Sequence, residues 1–495
     1  MIALVGGALA VWVAATGASV LVAAIPDGTR SGMPYWTDVG VSTRTLLYTM
    51  AVALVTGVAF GLVPALAASR ASLGDVLRRG GRGVAGGRAR FRDALIAGEI
   101  ALTIVLLVGT GLLVRSLREL LRVDAGFDAV QVMTARIALA GPRYATEDAQ
   151  RRFFDDVLTR MREVPGVRAV GAVSNLPLNG GGTNTFLVSG RAEPSPSQRP
   201  EATMRAVAGE YFDALRIRLL DGRQFSARDD TTGARVILIN ASLARRLFAN
   251  GQAVGARFRF YAFPEREWEV VGVVADVKTS RLDADAPPTV YYSQAQAPQN
   301  RMSLAIRVGC PRTRVKGDVN GGRCDPSWMT GVIRRAVATS DPNVPVYAVG
   351  TMEQQVLDSP AVFARRYPLL LVGLFAATAL VLAVVGLYGV ISFAVGQRTR
   401  EFGIRMALGA SPSVIRMAVL RRGAVVAGSG VALGVPGALA LTRTMRGMLY
   451  GVGTTDLATY ACACGVLVTV ALLASWVPAQ RATLIQPTVA LTADS

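Results

Sequence analysis

The sequence contains no histidine among its 495 residues. Without histidine the chain cannot form a Ser-His-Asp or Cys-His catalytic group, a histidine-ligated metal site or a histidine proton shuttle. It also lacks the phosphate-binding motif G-x-x-x-x-G-K-[ST]. The triple glycine at 180–182 has neither that ending nor a following helix signal, which favours a surface turn. We therefore expect no enzyme activity, no catalytic or metal-ligating residue and no cofactor.

Cysteine is scarce, with four residues in the whole chain. Cys462 and Cys464 lie in an apolar run, where they are expected to pack as small side chains. Cys310 and Cys324 flank a polar, glycine-rich loop. If that loop is extracytoplasmic, we expect a disulfide that closes about 15 residues and stabilises the fold by about 3 kcal/mol in the chain-entropy model.

The composition is too apolar for an ordinary soluble protein, since 51% of the residues are hydrophobic and the mean hydropathy is positive. Long stretches of mixed polarity predict a sizeable soluble domain as well. The net charge of +19 is consistent with nucleic acid binding. However, many basic residues lie in segments 69–92 and 397–422, which border apolar runs and indicate the cytoplasmic side. Anionic membrane lipid is therefore the expected partner, and no nucleic acid.

Apolar runs long enough to cross a bilayer, at about 20 residues each, occur six times. They cover residues 2–25, 46–68, 94–114, 369–395, 423–441 and 459–476. A signal peptide is the alternative for the first run, but no basic segment precedes it. The third run continues as a helical pattern to Val123, which predicts a stalk that projects from the membrane. Glu99 within it is either a functional group or, as we favour, a carboxylate that reaches the headgroups.

Residues 124–365 are polar, with alternating patterns and no apolar span. Strands are predicted at 133–139, 167–173, 235–239 and 268–274, and a short helix around 211–215. A helix beginning after Thr146 has one apolar stripe, formed by Phe154, Val157, Leu158 and Met161. This region is therefore predicted to be a mixed α+β domain.

The segment 397–420 is charged and amphipathic and separates two apolar runs. Arg398, Glu401 and Arg405 fall on one helical stripe, and Gly409 is expected to end that helix. Ser411 followed by Pro412 is typical of a new helix start, so two helices should meet at a corner. A solvated loop between two spans explains the same spacing.

The wording E-F-G-I-R-M-A-L-G-A at 401–410 resembles the signature of MacB/FtsX-type permeases of ABC transporters. The resemblance implies that 397–420 is a coupling elbow against a separate ATPase subunit in trans. Phrases at 209–225, 239–248 and 269–278 resemble the MacB-type periplasmic core domain. The fold implied is an α-helical transmembrane bundle of about six spans with a large mixed α+β extracytoplasmic domain. The residues expected to act in coupling are Arg398, Glu401, Gly403, Arg405, Gly409 and Ala410.

A shift of 414 residues places Val63-Pro64-Ala65 on Val477-Pro478-Ala479. This internal match resembles the duplicated ADOP-type permeases, in which two permease modules are fused. The layout implied is 1–68 as the last two spans of a truncated first module, 69–92 as a basic cytoplasmic linker, 93–123 as a span and stalk, 124–365 as the periplasmic core domain, and 366–495 as a three-span FtsX-like permease domain.

The resemblance implies a multi-pass inner-membrane subunit with residues 124–365 outside and a cytoplasmic C-terminus. It would couple ATP hydrolysis by the separate ATPase to export or extraction of periplasmic or membrane-derived substrates. A further expected partner is either a second permease module or a periplasmic or outer-membrane protein. One alternative is an FtsX-like signal transducer that controls a periplasmic partner such as a cell-wall hydrolase. Another is a membrane-anchored enzyme with its site in 124–365.

Overall fold

The computed structural model describes residues 82–248, 251–262, 264–309 and 326–483, together with single positions between 12 and 58. The chain forms two compact units. The membrane unit contains the described residues up to Leu120 and from Ala364, and the core-domain unit spans Leu121–Phe363. The predictions for runs 2–25 and 46–68, for the linker before residue 82 and for Cys310 and Cys324 fall largely or wholly outside the described residues.

The α-helices of the described residues are α1 (Arg82–Leu121), α2 (Glu147–Arg162), α3 (Tyr211–Ala214), α4 (Ala241–Leu247), α5 (Met329–Ser340), α6 (Met352–Leu357), α7 (Pro360–Gln397), α8 (Thr399–Ala407), α9 (Pro412–Thr444) and α10 (Leu457–Thr483). The strands are β1 (Val132–Ala138), β2 (Val167–Val173), β3 (Thr183–Val188), β4 (Glu201–Gly209), β5 (Leu219–Gly222), β6 (Val236–Asn240), β7 (Arg257–Phe260), β8 (Glu267–Val274), β9 (Thr289–Ser293), β10 (Arg301–Val308) and β11 (Val346–Thr351).

Four of these helices, α1, α7, α9 and α10, are long and apolar enough to cross a membrane. They confirm the last four predicted runs, but each helix is longer than its run. The helix α1 begins at Arg82, so residues 82–92 are helical although the sequence predicts a linker there. Helical hydrogen bonding extends outward from the apolar part of α1, and each glycine in that extension costs only about 1 kcal/mol.

The membrane unit packs around a stripe of α1 in which every fourth residue from Ile96 to Leu112 is buried. Opposite this stripe, Gly430 and Gly434 of α9 lie against Ile100 and Ile104. A side chain at either glycine would overlap atoms of α1. Small residues at this crossing therefore allow the two helices to approach closely, as is common in membrane helix pairs.

The described residues of the core-domain unit form one sheet of 11 strands. Strands β11, β1, β10 and β2 form an antiparallel layer, for example with Ala135 opposite Leu304. Strands β4, β3, β7, β8, β6 and β9 pair in that order, and the parallel pairing of β9 with β4 closes them into a ring. Strand β2 pairs with β4 and so joins the antiparallel layer to the ring. The strands therefore form one continuous mixed sheet.

Local sequence patterns explain the elements around the antiparallel layer. Thr146 is the N-cap of α2 and accepts a hydrogen bond from the Ala149 amide. The predicted stripe of α2 is buried in the core beneath this layer, together with Met329, Ile333 and Val337 of α5. The four predicted strands and the short helix are confirmed within one residue at each end.

The helical segment that precedes the run 369–395 is interrupted once, between α6 and α7. The short helix α6 ends at Leu357, and α7 begins at Pro360. Proline disfavours the helical conformation for the residue before it, which here is Ser359. The carbonyl of Ser359 then accepts the amide of Phe363, so Ser359 starts the new helix.

Candidate coupling site

The short helix α8 presents the charged stripe that the sequence predicts. Arg405 Nη2 lies 2.5 Å from Glu401 Oε1, and Arg398 Nε lies 3.9 Å from Glu401 Oε2. All three side chains are 44–57% exposed. Exposed helical pairs of this kind contribute only about 0.3–0.5 kcal/mol to stability. Their charges are therefore available to a partner at little cost to the fold.

The corner after α8 is a Schellman motif. Gly409 has a φ of +93°, and its amide donates to the carbonyl of Met406. The amide of Ala410 donates to the carbonyl of Arg405, which completes the paired hydrogen bonds of this motif. Gly409 thus ends the helix as the sequence predicts.

The next helix, α9, begins with Pro412 in its first turn, as predicted for a helix start after Ser411. Ser411 has the extended backbone of an N-cap residue. Its hydroxyl is 2.8 Å from that of Ser413, and it makes no side-chain hydrogen bond to a backbone amide of the helix. Pro412 therefore does more than the serine hydroxyl to fix this corner.

One face of the elbow (residues 397–420) packs into the membrane unit and the other is exposed. Phe402, Ile415 and Val419 belong to the buried core, and Gly403 is also buried. Gly403 therefore lies on the packed side, whereas Arg398, Glu401 and Arg405 lie on the exposed one. Large apolar side chains accompany these charges on the exposed side, namely Ile404, Leu408, Val414 and Met417, with Leu408 at 83% exposure.

Both flanks of the elbow contact the start of the membrane part of α1. Arg422 Nη2, in α9, lies 3.2 Å from Asp93 Oδ2. In α7, the Phe393 ring lies 4.4 Å from the guanidinium carbon of Arg92. The helices that enter and leave the elbow are therefore both fixed to the same turn of α1. Further along, Glu99 of α1 is half-buried and faces Gly386 of α7.

The other end of α1 is held by the loop between α9 and α10. Arg115 Nη1 lies 2.5 Å from Asp456 Oδ1, and the Ser116 hydroxyl accepts the amide of Tyr450 at 2.8 Å. Asp456 also accepts the amide and hydroxyl of Thr459 at the start of α10. The pKa of Asp456 lies below its usual value, chiefly because the carboxylate accepts a hydrogen bond from the Thr459 hydroxyl. The Arg115 guanidinium lowers this pKa further. The carboxylate thus stays ionised at neutral pH and joins α1 to α10.

Within the core-domain unit, the chain that follows α1 is fixed to the segment 276–279. The Lys278 amide donates to the Ala125 carbonyl at 2.9 Å. Gly126 has a φ of +80° and lies against the carbonyl of Asp276. The Asp276 carboxylate accepts from Asn240 and from the amide of Ser242, both at 2.7 Å. The entrance to this unit is thus bonded to the end of β8 and to the start of α4.

The segment 276–279 also contacts the loop 174–182. Within this loop the sequence predicts a surface turn, but only for the glycines at 180–182. The amide of Gly180 donates to the carbonyl of Thr279 at 2.9 Å. Arg205 is 1% exposed, and its guanidinium donates to carbonyls of this loop at Asn175 and Gly180. Asn179 accepts from the side chain of Gln355 in α6, at 2.9 Å. The entrance and the exit of the core-domain unit therefore belong to one hydrogen-bonded network.

Sequence reasoning missed this network. Most of its contacts are made by backbone groups, which leave no residue pattern, although the unusual φ of +67° at Leu178 marks the loop as constrained. Among the described residues there is no cluster of three or more histidine, cysteine, aspartate or glutamate side chains that could hold a metal ion.

The fold and this site define a helical membrane protein whose long helices carry a mixed α+β domain. A family model described as MacB-like periplasmic core domain matches residues 94–316, and one described as FtsX-like permease C-terminal matches residues 373–487. The chain belongs to the ABC-transporter permeases of the MacB/FtsX type.

Curated relatives cover part of the chain. A probable export ATP-binding/permease protein MacB of Pseudomonas entomophila is 27% identical over 308 residues, which are 59% of this chain and 42% of that protein. The uncharacterized ABC transporter permease YvrN of Bacillus subtilis is 26% identical over 46% of this chain and 55% of its own length. The chain thus spans about half the length of these relatives or less. The crystallised periplasmic region of MacB from Actinobacillus actinomycetemcomitans is 15% identical, with a TM-score of 0.31, over 48% of this chain and 95% of that one.

Proposed function

We propose that the elbow receives force from a separate ATPase and that α1 and α7 carry it to the periplasmic core domain. The observation that carries this proposal is the attachment of both flanks of the elbow to α1, through Arg422 with Asp93 and Phe393 with Arg92. A displacement of the elbow therefore moves α1 as well as the two helices that the elbow joins.

The remaining steps follow the chain. The helix α1 is about 60 Å long, at 1.5 Å per residue over its 40 residues. It leads directly to Ala125 and Gly126, which are bonded to the segment 276–279. Through Asn179 and Gln355 the same network reaches α6, which precedes α7. Rigid helices with two attachments suit transmission of small shifts better than a flexible tether does.

The family and the name of one relative, a probable export ATP-binding/permease protein, support a role in export. We infer that the core-domain movement serves export or extraction of periplasmic or membrane-derived substrates. From the arginine-rich segments we infer that the elbow and the C-terminus are cytoplasmic and that residues 124–365 are outside. Impermeant cysteine labelling in intact cells should modify a cysteine at Gly181 and spare one at Leu408.

Cysteine cross-linking tests the docking step. A cysteine that replaces Leu408, the most exposed apolar side chain of the elbow, should cross-link to the ATPase in reconstituted membranes. The matched control is a cysteine at Leu472, which is 43% exposed on α10 in the membrane unit. Cross-linking at Leu472 in place of Leu408 would show that the ATPase does not dock on the elbow.

A further inference from the structure

An apolar groove lies between α7 and α10 in the membrane unit. Its volume is about 450 Å³. The lining side chains are Val384, Val385, Tyr388, Val470, Leu473, Ala474 and Val477. Apart from the Tyr388 hydroxyl these side chains are purely apolar. Val385 is 62% exposed and Leu473 is 66% exposed, so the groove is open within the described part of the chain.

A positive charge lies at one end of the groove. Arg481 Nη1 donates to the hydroxyl of Tyr388 at 3.2 Å and so links α10 to α7 across that end. From Val470 to Val477 the groove runs about 10 Å along α10, and Arg481 follows about one helical turn later. Arg481 is the last residue of the span. No carboxylate of the described residues pairs with it, so its charge is available to a ligand.

We propose that this groove binds one membrane phospholipid with an anionic headgroup, its acyl chain along the valine and leucine walls and its phosphate at Arg481. Two observations select this occupant over a second protein helix. The groove is apolar where the bilayer is hydrocarbon, and its charge lies where the span ends, which matches the division of a lipid into tail and headgroup. A guanidinium such as that of Arg481 binds phosphate oxygens through two parallel hydrogen bonds. An apolar protein helix has no phosphate group and cannot accept these bonds.

The bound lipid would brace α7 against α10. The bond between Tyr388 and Arg481 joins the two helices at one end of the groove. Filling the groove adds dispersion contacts on both walls. Because α7 leads into the elbow, this site would make the stiffness of that helix depend on the lipid composition.

Photo-cross-linking with defined lipids tests the site. The full-length chain is reconstituted in phosphatidylcholine vesicles that contain a phosphatidylglycerol probe with a diazirine in its acyl chain. We expect labels on the groove residues, and we expect Arg481→Gln to lower this labelling about five-fold, the factor that corresponds to about 1 kcal/mol per basic residue near anionic lipid. Arg481→Lys should retain most of it. The matched control is Arg443→Gln, an exposed arginine in the last turn of α9.

A second variant separates the site from general folding. Val385→Trp fills the groove from a position that is 62% exposed, and it should remove the labels on Val470 and Leu473 while Arg481 remains. Equal labelling by phosphatidylcholine and phosphatidylglycerol probes, unaffected by Arg481→Gln, would overturn the proposal. So would a disulfide between a cysteine at Leu473 and one in residues 46–68, since a helix of this chain would then fill the groove.

Discussion

The carbonyl oxygen of Asp276 occupies the position in which a side chain on Gly126 would lie. Gly126 also has a φ of +80°, a conformation that side chains disfavour. Gly126 is five residues beyond the end of α1, where the chain enters the core-domain unit. The close approach and the hydrogen bond from Lys278 to Ala125 fix this entrance to the end of β8.

Gly126→Ala should loosen the entrance. The new methyl group forces the backbone of 125–126 away from 276–278, so both segments should lose protection in hydrogen exchange of the full-length protein. The matched control is Gly190→Ala, since Gly190 has a φ of +83° but open space around it. The control should cost about 1–2 kcal/mol, as for any residue with a left-handed backbone, and Gly126→Ala should cost more. Equal effects of the two changes would contradict the close approach.

Arg205→Met should release the loop 174–182. Arg205 is buried, and its guanidinium bonds only carbonyl groups, so methionine fills the space but leaves those carbonyls without donors. We expect a loss of about 3 kcal/mol in the free energy of unfolding and faster hydrogen exchange at Gly180. Arg218→Met, at an exposed arginine of the same unit, should change stability by less than about 0.5 kcal/mol.

Much of the local structure could be predicted from sequence because it depends on neighbours along the chain. The α2 stripe, the proline at the start of α9 and the glycine at the end of α8 each require only a few adjacent residues. The ring of strands could not be predicted in this way. The ring closes where Thr203 lies beside Thr289, and these two residues are far apart in the sequence. Both are buried, and their strands show little alternation of apolar and polar residues.

The same distinction between local features and long-range contacts applies to the candidate site. The charged stripe from Arg398 to Arg405 follows from helical spacing, and the family resemblance draws attention to it. The ion pair between Asp93 and Arg422 joins residues from distant parts of the chain, and no local sequence pattern marks either residue. The contact of Lys278 with Ala125 uses only backbone atoms, which any residue supplies.

The Asp229 carboxylate should make stability depend on pH. Hydrogen bonds from Arg223, and then from Ser226, lower its pKa below the usual value, although burial opposes them. A lowered pKa in the folded state gives stability that is present above the unfolded pKa, about 3.9, and lost as the pH falls through the folded value. The difference in unfolding free energy between wild type and Asp229→Asn should therefore shrink from about pH 6 to about pH 3. A difference that grows towards acid pH would contradict this sign.

Gly409→Val should uncouple the elbow through its backbone alone. No heavy atom lies near the position of a new side chain, but the φ of +93° is strained for a β-branched residue. We expect lower stimulation of ATP hydrolysis in the reconstituted pair with normal membrane abundance. Gly409→Asn is the matched variant, since asparagine tolerates positive φ better, and it should retain more stimulation. A fall in abundance with unchanged stimulation per molecule would assign Gly409 to folding only.

The most direct measurement of the proposed force entry is ATP hydrolysis by the reconstituted ATPase and permease, with the Glu401→Lys variant and its membrane abundance measured in parallel. Reversal of this exposed charge removes pairs worth only about 0.3–0.5 kcal/mol each, so the variant should insert normally. Stimulated hydrolysis should fall several-fold, whereas Asp148→Lys, which breaks the exposed pair with Arg151 on α2, should leave it unchanged. Normal stimulation by Glu401→Lys at normal abundance would contradict the elbow as the place where force enters.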